Sequence, residues 1–174
     1  MNNLKITGDE KMSPRGAYNL AKGKGPSAEL EYIIAKNQKY SYLYARFVLR
    51  GPFLRGEKAM AREAYYSYHY AIDVLKGPFP EGEDAMAKSP YHSYYYALTI
   101  LKGPFPKGEE VIEKDPEYSY YYARDILGGP FPKGEDIIVK HPRFSYRYAL
   151  DVLHLSREEA EKWGTNRLRK KEEK

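Results

Sequence analysis

Five glutamates, Glu31, Glu57, Glu83, Glu109 and Glu135, stand 26 residues apart in the chain. A row of evenly spaced carboxylates could comb a cationic ligand. General acid–base chemistry asks instead for converging groups in unlike environments, and carboxylates in equivalent settings do not divide those roles. Each Glu falls in the first turn of a candidate short helix, where the helix dipole favours a negative charge. A Tyr hydroxyl from the next repeat is an available donor. These positions are therefore read as structural.

The remaining reactive residues give no constellation. The four histidines, His69, His92, His141 and His154, lack metal-ligand spacing, and no H-E-x-x-H is present. With no cysteine there is no thiolate site, nucleophilic thiol or disulfide, which is compatible with a reducing compartment. The Gly-Lys of "AKGKGPS" (residues 21–27) lacks the first Gly of a phosphate loop. In "GPFPKGE" two prolines remove the N–H groups a phosphate cradle uses. No catalytic residue, metal or cofactor is expected, and the chain is read as a non-enzyme.

Chemistry aside, the spacing is the main signal. Gly25, Gly51, Gly77, Gly103 and Gly129 open five units at an unbroken 26-residue interval, the mark of a tandem array. The central units share G-P-F-P-x-G-E, two or more small or branched apolar residues, a Lys, a Pro and S-Y-x-Y-A. The outer units decay as capping repeats do: Gly25 opens "GPSAELE", and "SPRGAYNLA" from Ser13 matches "DPEYSYYYA" with two residues then missing before Gly25.

Each unit predicts two helices. Ser89-Pro90 or Asp115-Pro116 supplies an N-cap and a first-turn proline, and Gly103 or Gly129 supplies the stop, for a long helix of about twelve residues. A shorter helix, about Gly82 to Lys88, precedes it. At two or three turns neither is stable alone in water, so both must stack on neighbours. Ser156 and Glu159 form a capping-box pattern that opens a closing helix to about Leu168, carrying Ala160 and Trp163; "RKKEEK" beyond it is expected to fray. The expectation is an all-α fold: a short, right-handed α-solenoid of five 26-residue two-helix repeats with a degenerate N-terminal half repeat and a C-terminal capping helix. Its parts are residues 1–24 as N-terminal cap, 25–154 as the repeats and 155–174 as closing helix and tail.

On a helical wheel Ser119, Ala123, Ile126 and Leu127 form the core side, flanked by Tyr120 and Tyr122. The opposite side varies from unit to unit: Lys39, Leu43, Arg46, Arg50; Tyr65, His69, Ile72, Lys76; Tyr91, Tyr95, Leu98, Lys102; Glu117, Tyr121, Arg124, Gly128; Arg143, Arg147, Leu150, His154. Repeats agree where they stack and vary where they recognise. Tyr91, Tyr95, Tyr121, Arg124, Arg143 and Arg147 are the expected centre of a partner-binding surface, since Tyr and Arg favour interface hot spots. A neighbouring row, Asp73, Asp125 and Asp151, neutralises part of the charge. The net charge of +5 agrees with an acidic partner. A protein is the first reading, and RNA or single-stranded DNA along the basic stripe is the alternative. The opening residues lack a signal-peptide pattern, and no apolar run approaches the ~20 residues needed to cross a bilayer; a cytoplasmic protein with no membrane partner is expected.

The phrase "YARDILGGPFPKGE" (residues 122–135) resembles tandem repeats in proteins of tailed bacteriophages and some bacteria, and the likeness covers Ser13 to His154. It implies a phage origin and a partner in the bacterial host, such as a host or defence protein to be inhibited. In architecture the unit is similar to short helical repeats of the leucine-rich variant type, a fold analogy alone.

Overall fold

The computed structural model describes residues 12–172. Residues 1–11 of the expected N-terminal cap and 173–174 of the tail lie outside the described residues. Those described are all helical, without a strand.

The first helix, α1 (Pro14–Lys24), is capped by the Ser13 side chain on the Gly16 N–H. Each unit then contributes a short helix and a long one. The short helices are Ala28–Ile34, Leu54–Met60, Glu83–Met86 (after a 3-10 turn, Pro80–Gly82), Pro106–Ile112 and Pro132–Ile138. The long ones begin at Gln38, Ala64, Pro90, Pro116 and Pro142. Their N-caps follow the sequence rule. Asp115 accepts from the N–H groups of Glu117 and Tyr118, and Ser89 from that of His92.

Two features of the long helices depart from expectation. In the first four units the α-helix lasts one heptad and continues as a π-helical turn, such as Pro116–Tyr122 followed by Ala123–Leu127. The extra residue per turn rotates the segment away from the ideal wheel. Ile126 is consequently half-buried and Leu127 exposed, whereas the wheel put both in the core. The stop also falls one residue early. Arg50, Lys76, Lys102, Gly128 and His154 take the left-handed conformation, with φ of 53–60°, not the following Gly103 or Gly129. The next N–H then closes on the carbonyl six residues back, as Gly103 does on Ala97.

Packing joins successive units. Each long helix contacts the next long helix and the short helix that follows it. The shared face is Ser41, Ser67, Ser93 and Ser119 with Ala45, Ala71, Ala97, Ala123 and Ala149, all 0% exposed. Close approach rests on a Ser–Gly pair. A Cβ on Gly108 would sit 2.6 Å from Ser93 Cβ, and one on Gly134 would sit 2.7 Å from Ser119 Cβ, so these positions admit only glycine. Each Ser hydroxyl also donates to a carbonyl at the end of its unit's short helix, as Ser119 to Ile112 at 2.7 Å, satisfying a terminal acceptor.

The closing helix, α12 (Arg157–Glu172), is opened by a reciprocal box between Ser156 and Glu159 and runs past Leu168 to Glu172. It reproduces the contacts of a following repeat with different residues. Trp163 packs on Tyr148 at 5.3 Å between ring centroids, where Phe131 packs on Tyr122 at the same distance. Gly164 meets Ser145, as Gly134 meets Ser119. Arg167 pairs with Glu135 at 2.5 Å, as Lys133 pairs with Glu109 at 2.7 Å.

Candidate functional site

The glutamate comb is a set of internal anchors. Tyr44, Tyr70, Tyr96, Tyr122 and Tyr148 each donate to the Glu thirteen residues earlier, Glu31, Glu57, Glu83, Glu109 and Glu135, at 2.7–3.2 Å. The expected donor from the next repeat is thus replaced by one from the same unit, because the long helix folds back on its own short helix. Four of these hydroxyls also accept the N–H of the unit's Phe, as Tyr122 does from Phe105 at 2.9 Å. Burial, reinforced by the neighbouring Glu charge and opposed by the Phe N–H, pushes Tyr96 and Tyr122 up to about 12. Among the described residues no group of three or more His, Asp or Glu is placed to hold a metal.

A second tyrosine column bridges units. Tyr42, Tyr94 and Tyr120 donate to Asp73, Asp125 and Asp151 of the following unit, and Tyr68 meets Thr99 in the same register. The same column makes ring contacts of 5.8–6.2 Å with Tyr66, His92, Tyr118 and Phe144. With Tyr40, packed on Tyr18, these form an aromatic column in every unit. The sequence reading passed over it; its signal was an aromatic residue at one register position in all five repeats.

These bridges divide the six expected binding residues. Arg124 is committed: its Nε and Nη2 bind Asp125 at 2.6 and 2.8 Å, and its Nη1 donates to the Tyr120 hydroxyl. Burial of Asp125 works against its ionisation, but hydrogen bonds from Arg124 and Tyr94 outweigh this and hold its pKa below the ordinary range. Arg46 is held likewise by Asp73, at 2.6 Å, and by Tyr42. Tyr95 and Tyr121 are half-buried against the core. Tyr91 is 46% exposed and rests on Tyr95 at 4.6 Å between centroids. Arg143 and Arg147 are exposed and make no ion pair among the described residues; Arg143 lies over Phe144.

The variable face therefore presents an aromatic patch around Tyr65 and Tyr91, bordered by cations with no carboxylate partner among the described residues: Lys39, Arg50, Lys76, Lys102, Arg143 and Arg147. Comparison of the chain with protein-family models, curated proteins and solved structures finds no match. No helix among the described residues is long and apolar enough to cross a membrane.

Proposed function

We propose that the chain is a short α-solenoid acting as a non-enzymatic binding module, which engages an acidic protein segment along its variable face. One observation carries this reading: the columns that vary between units hold the exposed Tyr65 and Tyr91 together with Lys39, Arg50, Lys76, Lys102, Arg143 and Arg147, which pair with no carboxylate among the described residues, while the constant Ser, Ala and Tyr columns are consumed by stacking. Tyr65 and Tyr91, about half-exposed and backed by other rings, are pre-ordered anchors that lose little freedom on binding. Tyr91 already contacts the rings of His92, Tyr95 and Tyr118. That favours a shape-matched protein surface over base stacking, which needs an open ring face. The resemblance to phage repeats points to a bacterial partner.

The test is capture of partners from bacterial lysate, with and without nuclease, by the native chain and by a Tyr65→Ala/Tyr91→Ala variant. Tyr65 and Tyr91 are the targets because they are exposed, whereas truncating the half-buried Tyr95 or Tyr121 opens core space. The reading expects a nuclease-resistant partner, lost in the variant at an unchanged unfolding midpoint. A partner removed by nuclease, with affinity falling log-linearly in salt, would establish the nucleic-acid alternative. Capture unaffected by the variant would place the functional surface elsewhere.

A further inference from the structure

The short helices carry a second irregularity, in charge. Every one is followed by a cation, Lys36, Arg62, Lys88, Lys114 or Lys140. The third, fourth and fifth units balance it with an acid inside the helix, Asp84, Glu110 and Asp136. Asp84 pairs with Lys107 at 3.0 Å and Glu110 with Lys114 at 2.9 Å. In the second unit that acid is replaced by Lys58.

A companion cation is released at the same place. Lys107, Lys133 and Arg167 each pair with the buried-edge Glu of the preceding unit, Glu83, Glu109 and Glu135. Arg55, the equivalent of Lys107 and Lys133, makes no ion pair with Glu31. Its Nη1 donates instead to the Ala28 carbonyl at 3.2 Å. The result is an open depression between the first two units, lined by Ala35, Lys36, Arg55, Lys58, Ala59 and Arg62. Among the described residues no carboxylate lines it, and none of its four cations forms an ion pair. Beside it Tyr32 is 61% exposed, with the Lys36 ammonium 4.1 Å from its ring centroid.

Four like charges brought together without counter-charge repel one another, and an anion seated among them relieves that repulsion. Two guanidinium forks match tetrahedral oxyanions through paired hydrogen bonds, and two ammoniums add point charge. We propose that this depression binds a compact oligophosphate, with Arg55 and Arg62 gripping phosphate oxygens and Lys36 and Lys58 neutralising the remainder. The site shares no residue with the variable face, so either can fail without the other.

Titration calorimetry of inorganic tripolyphosphate into the full chain tests it, at low and at physiological ionic strength. Lys58→Glu supplies the acid of the third, fourth and fifth units at an exposed position, and Arg55→Gln/Arg62→Gln is a second, independent variant. Each should weaken binding at least about tenfold, about 1.4 kcal/mol, without moving the ligand-free unfolding midpoint. The control, Lys88→Gln/Lys114→Gln, removes the same charge from equivalent positions of later units and should leave affinity unchanged. A nucleoside triphosphate distinguishes the ligand's source: equal affinity assigns recognition to phosphate alone, and a gain abolished by Tyr32→Ala assigns it to a nucleotide. No binding by the native chain, full binding by Lys58→Glu, or an equal loss in the control would overturn the proposal.

Discussion

At the scale of single residues, one hydroxyl joins three parts of a unit. Tyr122 Oη accepts the Phe105 N–H and donates to Glu109, so Tyr122→Phe removes 1 atom and strands a buried donor and a carboxylate oxygen together. The expected cost is about 1–3 kcal/mol, read as a lower denaturation midpoint, against little change for Tyr91→Phe. Tyrosines of both columns set the alkaline limit. Burial foremost raises Tyr42, Tyr96 and Tyr122 from near 10 to about 12. These groups are neutral in both states below about pH 10. Between 10 and 12 the unfolded chain ionises first, so stability is complete below pH 10 and falls as pH rises through that window. Tyrosinate absorbance should rise in step with loss of helical circular dichroism; ionisation completed while the helices persist would refute the assignment. That these tyrosines are structural was legible from their regular spacing. Their partner was not, because a 26-residue period cannot say whether a contact closes within a unit or reaches the next.

At the scale of elements, the long helix was read correctly in position, cap and length but not in winding. Its π turn occurs in apolar stretches such as Ala97–Leu101, whose residue types are equally at home in an α-helix. It therefore left no mark in composition, and a wheel drawn at a uniform angle misplaced Leu127. The left-handed stop is similarly concealed, since four of its five occupants are not glycine. Such residues carry the steric penalty of Cβ against carbonyl oxygen. Lys102→Gly should relieve it and, after the entropy added to the unfolded chain, stabilise by about 0.5–1 kcal/mol, while Gly128→Ala should destabilise by a similar amount. The tighter constraint is the Ser–Gly crossing. Gly134→Ala would force its Cβ to 2.5 Å from Ser119 Oγ and 2.6 Å from the Phe131 ring, and Ala123→Leu overpacks a fully buried contact. Each should cost about 1–3 kcal/mol by thermal or chemical unfolding, against nearly nothing for the exposed Glu117→Ala.

At the scale of the whole molecule, the last sequence repeat is covered by the closing helix α12. The capping box and Trp163 announced a closing helix in the sequence. What it imitates was hidden, because the order Trp163, Gly164, Arg167 along a helix differs from the order Phe131, Lys133, Gly134 across a turn. Only folded geometry places the two sets over equivalent Tyr, Ser and Glu residues of successive units. The imitation is imperfect: Arg167 Nε is buried without a hydrogen-bond partner among the described residues, a cost that Lys133 does not carry against Glu109. Arg167→Lys should thus retain or raise stability, whereas Arg167→Ala leaves Glu135, 8% exposed, without its ion-pair partner and should destabilise by about 1–3 kcal/mol. Trp163→Ala strips the ring from Tyr148 and tests the proposed solenoid directly. In a chain stabilised by nearest-neighbour interfaces, losing the cap weakens the adjacent unit first and the distant ones least. Amide hydrogen exchange of this variant should therefore quicken in Pro142–Asp151 and Pro132–Ile138, fall off toward the fourth unit, and remain native in Gln38–Tyr44. Equal acceleration along the whole chain would instead mean one all-or-none core, and the solenoid reading would be abandoned.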